Sequence, residues 1–155
     1  MASNVTFGII GAGGIARAVV AALTHHAAVV TVYNRTVPRA EKLAAEFGAA
    51  AAGLDALTDL SAEIVVNGTS VGMHPDIDRT PVPVEVVGRA SVVFDTVYNP
   101  PVTRLLRAAA AAGCRTVSGV DLFVNQAAAQ FKLWTGQTAP RTMMRDVVVK
   151  RLKET

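Results

Sequence analysis

Val5-Thr-Phe-Gly-Ile-Ile10 runs without a break into Gly11-Ala-Gly13-Gly14-Ile-Ala16-Arg17. The first six residues read as a strand, the glycines as a tight turn, and the residues from Gly14 onward as a helix. Gly11 permits the turn off the strand, and Gly13 lets the backbone come close to a pyrophosphate. The helix points free N–H groups and the positive end of its dipole at the same place. Ala16 stands at the third position of G-x-G-x-x-G/A, small enough for close helix–strand packing. Strand before and helix after is the context that this motif requires, so the stretch predicts nucleotide binding on an α/β fold.

The next apolar run, Val29-Val30-Thr31-Val32-Tyr33, leads into Asn34-Arg35-Thr36-Val-Pro-Arg39. An NAD site usually places an acidic residue roughly 20 residues past the glycines, where it bonds the ribose 2′-hydroxyl. Here two arginines occupy that region. A carboxylate would repel a 2′-phosphate, whereas a guanidinium donates paired, charge-assisted hydrogen bonds to it. Thr36 can add its hydroxyl and cap the following helix. A helix start is electrostatically poor for two cations unless an anion lies nearby. The expected cofactor is therefore NADP(H).

The remaining composition narrows the class. At 155 residues, 51% hydrophobic, the chain is long enough for one domain with a real core. A net charge of +3 and a pI near 9.4 are mildly basic, in part explained by phosphate sites. Without a Lys/Arg run interleaved with aromatics, no nucleic-acid partner is expected. No apolar run reaches the ~18 residues of a membrane helix, and no signal peptide is legible. The single Cys114 fits a reducing, cytoplasmic compartment.

Strands are expected near 5–10, 28–33, 63–67, 91–95 and 115–118, with a weak one near 49–52. Helices are expected near 14–25, 38–47, 101–112, 120–135 and 141–153, the third opening on Pro100-Pro101 and stopping at Gly113. The stretch 68–90, with Gly72, Pro75, Pro81 and Pro83, reads as a loop with little regular structure. Near-continuous apolar strands alternating with helices predict a Rossmann-type, doubly wound parallel sheet with helices on both faces.

Three more segments fall at predicted strand ends, where open α/β sheets bind ligands. They are Asn67-Gly-Thr69-Ser70-Val-Gly72-Met73, Phe94-Asp95-Thr96-Val97-Tyr98-Asn99-Pro100, and Val117-Ser118-Gly119-Val-Asp121-Leu122-Phe-Val-Asn-Gln126-Ala127. With the glycine turn, Asn34 through Arg39, and Trp134-Thr-Gly136, they stand in order over almost the whole chain. In this the chain resembles the NADP-binding half of shikimate dehydrogenase, either as a separate enzyme or as the dehydrogenase part of a dehydroquinate dehydratase–shikimate dehydrogenase fusion.

The resemblance implies roles. Ala12, Gly13, Gly14 and Ile15 line the pyrophosphate turn, and Asn34, Arg35, Thr36 and Arg39 hold the 2′-phosphate. Asn67, Thr69 and Ser70 border the ribose and nicotinamide side; Thr96, Gly119 and Leu122 lie at the nicotinamide. Tyr98 and Gln126 reach the substrate's carboxylate or hydroxyls. Three positions depart from the family pattern: Gly68 replaces a more usual alanine, Thr96 a frequent methionine, and Asp121 a glycine common in the single-function enzymes.

Family members carry an N-terminal substrate domain of roughly 100 residues or more, which holds the catalytic lysine and aspartate. Met1-Ala-Ser-Asn4 stands directly before the first cofactor strand, so the chain is expected to lack that domain and to be catalytically incomplete. No residue here is assigned as catalytic acid or base, and none as metal ligand. Lys42, Lys132, Lys150 and Lys153 lie on predicted helices away from the strand ends. His25 and His26 end a helix, and His74 sits in a loop nearer the expected cleft. Asp95 is expected to bond a loop backbone.

Phe123, Phe131 and Trp134 recur at helical spacing and read as core. Met143, Met144, Val147, Val148 and Leu152 form an apolar face of the last helix, with Arg141, Arg145, Lys150, Arg151 and Lys153 on its solvated side. In the family that helix packs toward the absent domain, so self-association of the isolated chain is expected. The implied activity is NADPH-dependent reduction of 3-dehydroshikimate to shikimate, in the shikimate pathway. The alternatives are a non-catalytic NADP-binding regulatory module and a quinate dehydrogenase-type or glutamyl-tRNA reductase-type enzyme.

Overall fold

Alternating strands and helices can bury both faces of each strand only by winding a parallel sheet between two helical layers. The computed structural model, which describes residues 5–154, has that arrangement. Residues 1–4 and 155, and with them the expected Met1-Ala-Ser-Asn4 start, lie outside the described residues. In chain order the strands are β1 (Thr6–Ile10), β2 (Val29–Tyr33), β3 (Ala50–Ala52), β4 (Ile64–Asn67), β5 (Val92–Asp95) and β6 (Arg115–Val117). The helices are α1 (Gly14–His25), α2 (Val37–Phe47), α3 (Val84–Val87), α4 (Arg104–Ala111), α5 (Gly119–Thr135) and α6 (Arg141–Lys153), with a 3-10 helix at Leu54–Asp59.

The sheet order is β3-β2-β1-β4-β5-β6, with every pairing parallel. The order reverses at β1/β4, the switch point where such sheets open a crevice. Register brings four strand ends level: Ile10 pairs with both Tyr33 and Asn67, and Asn67 pairs with Asp95. Successive side chains go to opposite faces. Ile9, Val32 and Val66 join Ala16, Val20, Ala40 and Leu43 under α1 and α2. Ile10, Val65 and Val93 join Leu57, Val87 and Leu105 on the other face. Ile9 and Ile10 are 0% and 2% exposed, and burying each side chain is worth about 1.5–3 kcal/mol.

Three expectations need correction. The helix expected over 101–112 does not open on Pro100-Pro101. It begins at Arg104, where Thr103 is the N-cap and its hydroxyl accepts the Leu106 N–H at 3.2 Å. The 68–90 stretch is not all loop, because Val84–Val87 form one helical turn that buries Val86 and Val87. Trp134 is not core. Val120, Val124 and Ala128 bury the first half of α5, but the helix then runs past the sheet and leaves Leu133 and Trp134 81% and 77% exposed. Phe123 is exposed as well, and only Phe131 of the three aromatics is half-buried.

α6 packs on α5 and buries no residue completely. Its Met144, Val148 and Leu152 are half-buried, while Met143 and Val147 remain 65% and 62% exposed. Its basic residues face solvent, as expected.

Candidate functional site

The crevice at the strand ends holds two cavities. The larger, about 610 Å³, has the glycine turn as its floor. Gly11 adopts φ +107, in the left-handed region, and turns the chain off β1; Gly11 N donates to Tyr33 O at 2.7 Å. A Cβ at Gly13 or Gly14 would project into open space, so the bare backbone there faces the crevice. α1 starts at this point with Gly13 as N-cap, no side-chain cap and no acidic residue in its first turn. α2 also starts without a side-chain cap, at Thr36, but Pro38 has no N–H and Arg39 N is already bonded to Thr36 O. The helices starting at Thr103 and Ser118, by contrast, are capped by those hydroxyls. Unpartnered N–H groups at a helix start make an anion site.

Asn34, Arg35 and Arg39 line the larger cavity together with Ala12, Gly13, Thr69 and Ser70. Arg39 and Lys42 also line an adjoining 330 Å³ hollow beside Gly13 and Gly14. Asn34 shapes the turn, its Nδ2 donating to Thr36 O at 2.9 Å. Thr36 is the N-cap, as its position suggested, yet its hydroxyl makes no cap bond and does not line the cavity. The cap therefore comes from backbone geometry, with Arg39 N donating to Thr36 O at 3.0 Å.

The smaller cavity, about 320 Å³, lies on the other side of the loop after β4. Gly14, Ile15, Thr69 and Ser70 form one wall, and Thr96, Tyr98, Gly119, Leu122 and Gln126 the other. Gly119 is dictated by close approach: a Cβ there would overlap the Val97 carbonyl oxygen. That contact seats the start of α5 directly on the chain leaving β5. The helix then presents Gly119, Leu122 and Gln126 on one face, at the i, i+3, i+7 spacing of a single stripe.

Asn67 corrects the expectation that it borders the ligand. It is 0% exposed and stands behind the wall. Its Oδ1 accepts from Thr69 N at 3.0 Å and from Thr69 Oγ1 at 2.7 Å; its Nδ2 donates to Val71 O and to Asp95 Oδ1. Asp95, also 0% exposed, accepts the expected loop backbone bond from Val97 N at 3.0 Å and a further one from Thr103 Oγ1 at 2.6 Å. Burial raises the Asp95 carboxyl above its ordinary range, against the lowering effect of these three bonds. Thr96 Oγ1 donates to Asn67 O at 2.8 Å, tying the two walls together.

Sequence reasoning missed Phe123, Met73, Val97 and Arg79 as lining residues. The Phe123 ring leans on Tyr98, with centroids 5.4 Å apart and planes at 32°. Its position four residues past Gly119 is the available signal, but the same spacing also fits a core face. His74 lines neither cavity; its N–H donates to Asn99 O at 3.0 Å. Tyr98 is the one titratable residue among those lining the smaller cavity. No cluster of metal-ligating side chains and no helix long and apolar enough to cross a membrane occurs among the described residues.

Comparison with known proteins agrees with this architecture. Residues 2–75 match the family model for shikimate / quinate 5-dehydrogenase, and residues 119–149 match that for the shikimate 5′-dehydrogenase C-terminal domain. The shikimate dehydrogenase (NADP(+)) of Methanosarcina acetivorans is 45% identical over 154 residues, covering 94% of this chain and 55% of the relative. The chain belongs to the shikimate dehydrogenase family.

Among solved structures of the family, shikimate 5-dehydrogenase from Thermus thermophilus, in complex with NADP(H) and shikimate, superposes with a TM-score of 0.83. It is 37% identical, and the match covers 94% of this chain and 54% of that one. Quinate dehydrogenase from Corynebacterium glutamicum, in complex with NAD, gives a TM-score of 0.85 at 31% identity, covering 96% and 56%. The chain thus spans about half the length of the shikimate dehydrogenases it matches.

Proposed function

We propose that this chain is the NADP(H)-binding domain of a shikimate dehydrogenase-type oxidoreductase, which reduces 3-dehydroshikimate to shikimate, and that it is catalytically incomplete by itself. The observation that carries the reading is the larger cavity. The uncapped start of α1, bare glycine backbone, Arg35 and Arg39 meet there, and no carboxylate lines it. That is the donor set a pyrophosphate and a 2′-phosphate require, and it disfavours the ribose-binding acid of an NAD site.

In this reading the glycine turn from Ala12 to Ile15 holds the pyrophosphate, and Arg35 and Arg39 hold the 2′-phosphate. Asn34 and Asn67 act through the backbone they fix, and Thr36 through its own carbonyl, which accepts from Asn34 Nδ2 and Arg39 N. When bound, NADPH supplies the hydride. Thr96, Gly119 and Leu122 form a close, largely apolar wall for the nicotinamide. Tyr98, kept in place by Phe123, and Gln126 offer polar groups to the substrate's oxygens. Delivery of a proton to the new alkoxide needs a positioned acid, and Tyr98 is the one titratable side chain lining that cavity. An N-terminal substrate domain is therefore proposed to supply the acid and most substrate contacts. The exposed Met143 and Val147 favour self-association of the chain in its absence. The single Cys114 favours a reducing cytoplasm.

Calorimetric titration of the chain with NADPH and with NADH tests the reading. Preference for NADPH that disappears in Arg35→Ala supports it; no binding of either sinks it. Quinate as substrate is the second reading, since the matching family model spans both activities. Turnover assays with shikimate and quinate on the chain joined to a substrate domain separate the two, and absence of turnover with both would favour a regulatory module.

A further inference from the structure

The loop from β4 to α3 brings a third arginine to the larger cavity. In the sheet order β2-β1-β4, the ends of β2 and β4 flank the glycine turn on opposite sides. Arg35 and Arg39 come from the β2 side. Arg79 lines the cavity from the β4 side, beside Val71 and Pro81.

The backbone that carries Arg79 is held on both sides. Arg79 N donates to Asp76 O at 3.3 Å, the Asp78 carbonyl accepts from Arg104 Nη1, and Thr80 Oγ1 donates to Val82 O at 2.8 Å. The loop folds back so closely that a Cβ on Gly72, at φ +90, would lie 3.1 Å from the Arg79 carbonyl oxygen. The guanidinium, in contrast, makes no ion pair or hydrogen bond among the described residues. No Asp or Glu lines the cavity to balance it. Three arginines line one carboxylate-free space, where an entering anion would meet uncompensated positive charge, and a fixed loop lowers the entropy lost when one of them closes on it.

We propose that Arg79 is a third anchor for a 2′-phosphorylated adenine nucleotide and contributes to its selection over the unphosphorylated form. The proposal rests on the NADP(H) reading above. Arg79 meets the nucleotide from the wall opposite Arg35, so the 2′-phosphoadenosine end lies between cations from two strand ends.

The test titrates the chain and its Arg79→Gln and Arg79→Lys variants with NADP+, NAD+ and adenosine 2′,5′-bisphosphate. Arg79→Gln is expected to weaken NADP+ and the bisphosphate about tenfold at low salt, the worth of one charge-assisted hydrogen bond. NAD+ stays within about twofold, Arg79→Lys recovers part of the loss, and the difference shrinks at high salt. Unchanged NADP+ affinity in Arg79→Gln, with the parent still preferring NADP+, overturns the role of Arg79 and leaves the proposed function standing. Equal loss of NADP+ and NAD+ also overturns it, since a general adenine contact or a disturbed loop would act that way. A parent chain that binds neither dinucleotide removes both proposals together.

Discussion

Asn67 Nδ2 donates to Asp95 Oδ1 at 2.9 Å, and neither residue is exposed at all. The pair joins two register partners at the ends of β4 and β5. Through it the loop that separates the two cavities is bound to the loop that carries Thr96 and Tyr98. Asp95 also anchors Thr103 at the start of α4, so one carboxylate organises three segments of the crevice.

Removing that carboxylate should cost more than changing its charge. Asp95→Ala leaves the Asn67 amide, the Val97 N–H and the Thr103 hydroxyl without their acceptor, and is expected to lose about 3 kcal/mol or more of stability. Asp95→Asn keeps one acceptor oxygen and should lose about 1 kcal/mol. Because burial raises the folded carboxyl, its ionisation opposes folding. The stability of the parent relative to the Asn variant is full below the unfolded value near ~3.9 and declines as pH rises through the folded one. Urea unfolding of the three proteins from acid to neutral pH measures this; an advantage that grows with pH would refute the sign.

Arg35→Ala should weaken NADPH binding by about 10- to 100-fold, the range of one or two hydrogen bonds to a charged group. NADH binding should change little, and folding should not change, because Arg35 is exposed. Calorimetry beside a thermal melt separates the two effects. Equal weakening of both nucleotides would place the 2′-phosphate elsewhere.

Much of the crevice was legible because local chemistry dictated it. The turn after Ile10 demands Gly11, and a strand buried on both faces has to read as Val65-Val66 or Ile9-Ile10 do. What stayed hidden depended on tertiary contacts. Pro100-Pro101 is an ordinary helix-start signal, but the buried Asp95 holds Thr103 and moves the start to Arg104. Phe123 and Trp134 carry core spacing, yet spacing identifies a helix face without saying what covers it. Arg79 follows no periodic pattern; only the fold of the loop against Gly72 brings it to the cavity.

Gly119→Ala tests the close approach at the smaller cavity. The added Cβ would overlap Val97 O and sit 2.6 Å from Thr96 O, both backbone atoms. Relief requires α5 to shift off the chain after β5, at an expected cost of about 1–3 kcal/mol. The same shift moves Leu122 and Gln126 relative to Thr96 and should weaken NADPH binding severalfold. A variant with parental stability and affinity would show that the contact is easily relaxed.

Asp121 and Arg145 offer an electrostatic test of how α6 is attached. Burial pushes the Asp121 carboxyl up, but bonds from Ser118 and the Arg145 charge outweigh it, and the group lies below its ordinary range. A lowered folded value means that its stabilisation is present above the unfolded value of ~3.9 and is lost as pH falls through the folded one. Both side chains are about half exposed, so the ion pair itself contributes less than about 1 kcal/mol. Asp121→Asn should therefore be less stable than the parent at neutral pH and approach it below about pH 4. A difference that is constant from pH ~3 to ~7 would assign the whole effect to the capping hydrogen bonds.

Trp134 is the single tryptophan of the chain and is 77% exposed, close to Leu133 at 81%. Dilute chain should therefore emit at the long wavelength of an indole in water. Apolar groups exposed to this degree on two adjoining helices, with Met143 and Val147 on α6, favour association through these helices. Raising the protein concentration should shift the emission to shorter wavelength as Trp134 is covered, in step with growth of the sedimentation coefficient. Met143→Lys with Val147→Lys places charge on the α6 part of the surface and should move both transitions to higher concentration. A short-wavelength emission at every concentration would mean instead that Trp134 is covered within one chain, and that the outer half of α5 folds back onto its own domain.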